Sequence, residues 1–427
     1  MTALALPDKA LATAVRELPD NALAENREAA LAHFLERGFP TTRLEDWKYT
    51  DLSAVADISQ RWLEIGAPTP SAAAIDERIA EIRGAIDVDW IIICNGAITD
   101  GKDVPGGAGL SISTLSDLAH VPGFDHPLAD LNAALLSDGL HVRVGANTTH
   151  ERPLGLLVVD GADSQPGVAQ TRIKIELEEG AQAQFVEYHT SIGDSDHYAN
   201  SVVELSLGAG ATANYVRIQG RDRNHTQTHR TAIRLDASST VRYSGFDLGG
   251  RLVRNDLDID IAGKEATALV GGLYIADDGQ HIDNHIRIDH RVGPARSVQE
   301  YRGILAGRCR CVWNGKALVQ AGADGTDAEQ SNHNLLLSDR AEIDAKPELE
   351  IYADEVKCSH GTTVGQLDEA ALFYLRSRGL DRQEATRALT RAFGASIVSH
   401  SPIAVAAEHL SEVVERRLSR LTDGERA

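Results

Sequence analysis

Apolar and polar positions along this 427-residue chain keep three different rhythms. Over the first ~85 residues the spacing is helical: Leu31, Phe34 and Leu35 fall at i, i+3 and i+4, and Gly38 and Pro40 supply a stop. From about 88 to 360 the period drops to two. Ile173, Ile175 and Leu177 alternate with Arg172, Lys174 and Glu176, and Val203–Leu205–Leu207, Leu257–Ile259–Ile261 and Ile286–Ile288 repeat the pattern. Each reads as a strand with one buried face. Turn residues recur at Gly180, Gly210, Ser239, Gly263 and Gly293, close to 30 residues apart at most steps. A strand–turn–strand unit at a near-constant period predicts a solenoid whose coils stack to bury their apolar faces. A β-helix fits best; a β-sandwich of short strands is the structural alternative. Scarce helical rhythm over this stretch argues against a doubly wound α/β fold.

Helical spacing returns after Gln366. Leu367, Ala370, Ala371 and Tyr374 form one stripe, and Asp381 and Glu384 have capping-box spacing. Ser401-Pro402 opens a last helix with Ala406, Leu410, Val413, Val414 and Leu421 on one face. The expected organisation is an N-terminal helical domain (1–87), a β core (88–362) and a C-terminal helical domain (363–427).

Charge narrows the function classes. There are 42 Lys plus Arg against 63 Asp plus Glu, a net of −21. Such a surface repels phosphate backbones, so nucleic acid is not an expected partner. Residues 365–427 hold nine Arg and nine acidic residues, so the whole negative excess lies upstream. Four cysteines are too few for a disulfide scaffold. The opening residues lack a basic n-region and a long apolar run, and no apolar stretch approaches the ~20 residues that span a bilayer. No membrane association and a reducing cytoplasm are the expectation.

Candidate chemistry is sparse. There is no G-x-x-x-x-G-K-[ST] loop, no G-x-G-x-x-G, no G-x-S-x-G and no H-E-x-x-H, so neither nucleotide hydrolysis nor a known hydrolase motif is expected. Gly106-Gly107, Gly249-Gly250 and Gly271-Gly272 read as turn or bulge glycines. His225/His229 and His281/His285 share four-residue spacing and could chelate a metal, but the plainer reading is solvated imidazoles on an outer strand face. Asp256, Asp258 and Asp260 could form an acidic catalytic or Ca²⁺ row; an outward acidic stripe is the plainer reading. Cys309 and Cys311 share a strand face and read as small buried hydrophobes rather than as a metal or redox pair. Trp47, among mixed charges, reads as the plug of a local core. Cys358 and His360 stand apart: a thiol and an imidazole two residues apart where the β body meets the helical end, both ligand types for iron, zinc or a cluster. Two ligands cannot complete a tetrahedral site, so a functional role needs a partner surface.

The residues around this pair carry a resemblance. The run DEVKCSHGTTVGQLDEAALFYLRSRG (354–379) resembles the C-terminal signature of the SufD branch of the SufB/SufD family, which belongs to the SUF iron–sulfur cluster assembly system. PTTRLEDWKYTDL (40–52) is similar to the family's N-terminal motif. The SufB branch carries a Glu-His-Glu-Ala type run at the corresponding junction, where this chain has Lys-Cys-Ser-His-Gly-Thr-Thr-Val-Gly. The resemblance implies a right-handed parallel β-helix and a non-catalytic scaffold. It implies pairing with SufB through the β-helix and docking of the ATPase SufC on the C-terminal helices. Sulfur would arrive from SufE/SufS. His360 would face SufB with Cys358 beside it, as ligands of a nascent Fe–S cluster or iron shared at the interface. No cofactor is expected on the chain alone, and a homodimer is possible in SufB's absence. Two rivals remain: SufB itself, and a β-helix polysaccharide lyase or hydrolase built on the Asp256–Asp258–Asp260 row.

Overall fold

The computed structural model describes residues 4–66, 70–101, 109–118 and 126–422; Gly106-Gly107 lies outside them. The period-two stretch winds as a parallel β-solenoid of about eight turns, as its rhythm predicts. Successive strands alternate between two sheets. One runs, in hydrogen-bonded order, from Lys357–Gly365 through Asp327–Leu336, Arg296–Leu305, Thr267–Ala276, Thr240–Asp247, Thr212–Gln219, Gln182–Ile192 and Leu154–Gly161 to Asp89–Cys94. The other runs from Glu342–Ile351 through Arg310–Val319, His281–His290, Leu252–Ile261, His225–Leu235, His197–Leu207 and Gly167–Leu177 to Leu140–Val144. Each sheet ends at its N-terminal edge in a short antiparallel strand, Ala97–Asp100 in the first and Leu110–Thr114 in the second.

Coil stacking follows from register. Ala183, Ala213, Val241, Ala268, Ser297, Ala328 and Cys358 are consecutive partners along one inward row. Small residues suit this row because it adjoins the turns, where the sheets draw together. The next inward row is Phe185, Tyr215, Tyr243, Val270, Gln299, Gln330 and His360. Inward residues of both sheets, Ile175, Leu205, Ile233, Ile259 and Ile288 among them, form the main core.

Helices cover both outer faces. Asp8–Arg16, Ala24–Arg37 and Ser53–Ile65 pack with Pro127–Ala134 on Tyr198 and Leu252 of the second sheet. Pro127–Ala134 lies inside the stretch where only strands were expected: eight residues are too short to establish a period, and Pro127 at its first position starts it. Ala72–Ala85 lies on the first sheet. So does the C-terminal helix Ala404–Thr422, whose Ala406, Leu410, Val414 and Leu418 are buried against Val216, Ile218, Phe246 and Ile275. Its apolar stripe therefore serves the chain's own sheet. The capping box at Asp381 and Glu384 opens Arg382–Ser399 as its spacing predicts. The preceding helix, Glu369–Ser377, differs from expectation: Leu372 is its buried residue, while Phe373 and Tyr374 are 74% and 56% exposed. The last strand runs to Gly365, beyond the boundary expected at 362.

Candidate functional site

Cys358 and His360 lie on the terminal strand of the first sheet, Lys357–Gly365. They pair in register with Ala328 and Gln330, both buried inward residues, so thiol and imidazole continue the two inward rows on one face of the strand. Among the described residues no coil covers them. His360 is exposed and Cys358 half-buried. Burial still pushes the Cys358 thiol up, with Asp327 adding to it against the Ala328 backbone hydrogen bond. The thiol is therefore protonated in the chain alone, and ligation of a metal would require the thiolate.

This end of the solenoid has two long uncovered edges. Every residue of Lys357–Gly365 except Cys358 is exposed, and no residue of Glu342–Ile351 is fully buried. Val364, Ile351 and Tyr352 are 51%, 41% and 64% exposed. Edge strands nine and ten residues long, with apolar side chains, are templates for pairing with another chain. Pro347, which cannot donate to a ladder, fits an edge strand.

The 40–52 segment braces the same end from the side. Glu45–Trp47 forms a single 3₁₀ turn. Trp47 is buried, as expected, and the Arg254 guanidinium stacks on it at 4.3 Å from the ring centre. Arg254 also donates to the Asp46 carbonyl at 2.8 Å and pairs with Asp256 and Asp283, each at 2.6 Å. Thr50 hydrogen-bonds Asp283 and His281, Tyr49 lies under Arg310, and Lys346 reaches Glu45 at 2.8 Å. The segment thus straps four consecutive strands of the second sheet, down to its edge.

Other candidates are redistributed. Asp256, Asp258 and Asp260 do form an outward row, but it is paired with Arg254, Arg230, and Arg234 with Arg291. Burial works against ionising Asp256, yet Arg254 holds its carboxyl down at about 2. An acidic row tied up in this way offers no free acid–base pair to a polysaccharide. His281 and His285 do line the outer face, half-buried beside Asp283. Expecting the same of His225 and His229 is a mistake: both point into the solenoid and are 0% and 2% exposed. Four-residue spacing puts two side chains on one face without saying which face is covered. Burial pushes the His229 imidazole down to about 3 and His225 to about 2. Cys309 and Cys311 are buried with free thiols, and burial raises the Cys311 thiol well above its ordinary value.

Apart from His229, a polar layer inside the solenoid has no counterpart among the sequence candidates. Asp160, Glu187, His189, Arg217, Gln219, Arg221, Gln227, His229 and Asp247 all lie inward and buried. The signal is available once the coil period is known: Glu187 and Arg217 are register partners one coil apart, and Asp247 follows 30 residues later.

Residues 158–393, more than half of the chain, match the family model described as "SUF system FeS cluster assembly, SufBD core domain". Residues 10–60 match the "SufBD protein N-terminal region". The chain is 29% identical over 400 residues to the iron–sulfur cluster assembly protein SufD of Escherichia coli, covering 92% of each chain. It is 29% identical over 423 residues to the SufBD family protein slr0076 of Synechocystis, covering 93% of this chain and 92% of that one. With the SufD of Bacillus subtilis it shares 27% identity over 69% of this chain and 67% of the other. By its solenoid, its N-terminal strap and these matches, the chain belongs to the SufBD family of iron–sulfur cluster assembly proteins.

Proposed function

We propose that this chain is a non-catalytic scaffold subunit that completes a cluster-assembly site only when its open solenoid end meets a SufB-type paralogue. The carrying observation is the placement of Cys358 and His360 on the inward rows of an uncovered terminal coil. A thiol and an imidazole two residues apart provide half of a tetrahedral donor set, and a partner coil stacked on the edge would bring the other half into range. Iron and sulfide are the substrate assembled there, with sulfur delivered by SufE/SufS. The exposed Phe373–Tyr374 surface of the helix Glu369–Ser377 would dock SufC, and its ATP-driven motion would reach the site through a strand that ends four residues earlier. Among the described residues no helix is long and apolar enough to cross a membrane.

The test is co-expression with SufB and SufC, measuring iron, acid-labile sulfide and yield of the intact complex. His360→Ala removes an exposed imidazole that supports no core. Complex yield should hold while iron and sulfide fall sharply. Cys358→Ala should have the smaller effect, because the partner can supply a thiolate. Wild-type cluster content in the His360→Ala complex would remove His360 from the site.

A further inference from the structure

Three side chains of metal-ligating type converge inside the solenoid, away from its open end. Glu187 and His189 are two residues apart on the strand Gln182–Ile192 and both point inward. His229 faces them from the strand His225–Leu235 of the opposite sheet. One ligand atom from each lies within 4.8 Å of the others. All three side chains are sealed from solvent.

The charges around them leave a deficit of positive charge. Asp160 pairs with Arg221 at 2.5 Å and Asp247 with Arg217 at 2.8 Å. Glu187 is a third buried carboxylate. Its short contacts are the Tyr215 hydroxyl, which donates at 2.8 Å, and His189 Nε2, also at 2.8 Å. Neither is a cation: the phenol is neutral, and His189 Nδ1 accepts from Arg221, so that ring carries a single proton. Arg217, the neighbour of Glu187 in register, attracts it only at longer range and is paired with Asp247, so two guanidiniums serve three buried carboxylates, a costly imbalance. His229 Nδ1, also buried, has no hydrogen-bond partner among the described residues.

We propose that Glu187, His189 and His229 form a buried site for a divalent first-row transition-metal ion of the Zn(II) or Fe(II) class. Two imidazoles and one carboxylate are the donor set of His₂Glu zinc centres and of the facial triad of non-haem iron. The ion supplies the charge that Glu187 lacks and ties the two sheets across the lumen. Arg221 now donates to His189 Nδ1 at 3.2 Å, which puts the ring proton on Nε2. Ligation through Nε2 moves that proton to Nδ1, so Arg221 gives up this contact and keeps Asp160. The site does not depend on the cluster role of Cys358 and His360.

Sealed ligands must be filled as the chain folds, so the test is metal supplied during expression. The parent is the full chain carrying Cys358→Ser and His360→Ala, which removes the exposed ligands. It is expressed in medium supplemented with Zn(II) or Co(II), desalted, and assayed for metal per chain. The expected result is about one ion per chain for the parent, reduced by more than about tenfold in Glu187→Gln and in His229→Asn. The Co(II) protein should show visible d–d bands without a thiolate charge-transfer band. Metal content no higher than that of Glu187→Gln, or a thiolate-dominated spectrum, overturns the proposal. Should a variant fail to fold, the parent's Co(II) spectrum decides alone: no nitrogen-and-oxygen-type bands means no site.

Discussion

Mild acid should unfold this protein well before its carboxylates protonate. His197, His225, His229 and His290 are buried inside the solenoid, each with one ring nitrogen that has no hydrogen-bond partner among the described residues. Burial pushes them from the ordinary 6.5 down to about 3, 2, 3 and 4. Above pH 6.5 both folded and unfolded chains hold them neutral and stability is flat. Below it the unfolded chain takes up protons that the folded chain refuses, so stability falls as pH falls, down to the folded values. At pH 5.5 each group costs roughly 1.4 kcal/mol relative to pH 7.5, and the four together about 5–6 kcal/mol. His189, lowered in the same direction, adds to the loss. That is comparable with the whole stability of an ordinary domain. Paired carboxylates such as Asp256, held near 2, do not titrate in this window. The assay is denaturant unfolding followed by circular dichroism between pH 7.5 and 5.5 at fixed ionic strength. Near pH 6 the slope should be about 4 kcal/mol per pH unit, the uptake of about three protons. A slope below about 1.4 kcal/mol per unit, one proton or fewer, refutes the assignment of these imidazoles as neutral and buried.

Other outcomes follow from the same contacts. Trp47→Ala should destabilise the chain by about 3 kcal/mol, because it empties a core position and strips the stacking surface from Arg254; calorimetry reads the loss, and a change under about 1 kcal/mol would mean the strap is ornamental. Phe373→Asp with Tyr374→Asp should abolish co-purification of SufC and leave the melting temperature unchanged, since both side chains are exposed; retained SufC would move the dock elsewhere. Deleting residues 366–427 is the poorer test, because it bares Val216, Ile218, Phe246 and Ile275 and should cause aggregation. The purified chain should turn over no ATP, having no phosphate loop, and turnover that survives removal of SufC would contradict that.

What the sequence makes legible is what depends on local period. Ile173–Ile175–Leu177 and its repeats declare inward faces, and the ~30-residue turn interval declares stacked coils. Cys358 and His360 are placed on one face by their two-residue spacing alone. Partnership is not legible in the same way. The polar inward positions of Gln182–Ile192 resemble a solvated face, because their partners Arg217, Arg221 and His229 lie one coil or more away. Asp160 and Arg221 are 61 residues apart. Arg254 likewise looks like an ordinary outward charge until the strap, 208 residues upstream, covers it. The fate of the C-terminal stripe also depends on a distant surface. The stripe alone does not say whether it serves a partner or the chain's own sheet, because the outer face that takes it is hard to read: Leu157 and Val159 sit in a nearly continuous apolar run, and Val186 and Val216 alternate with the inward Glu187 and Arg217, as a buried inner face would.

The two ends of the solenoid differ in a way that bears on function. At its N-terminal end both sheets finish in reversed strands of four and five residues, Ala97–Asp100 and Leu110–Thr114, which are short edges that resist pairing. At the other end the sheets stop on parallel strands of ten and nine residues with exposed Ile351, Tyr352 and Val364. A protein that avoids aggregation keeps such an edge only if something covers it. The strap from Glu45 to Lys346 adds weight to this reading, since it fixes the edge strand Glu342–Ile351 from outside and leaves its free side open. Amides line the inward rows as they approach that end, through Gln299, Gln330, Asn332 and Asn334. A partner coil stacked here would therefore meet a braced edge, a polar interior and two side chains of metal-ligating type already facing inward. The proposed assembly by shared ligands would draw on all three, and among the described residues they coincide at this end.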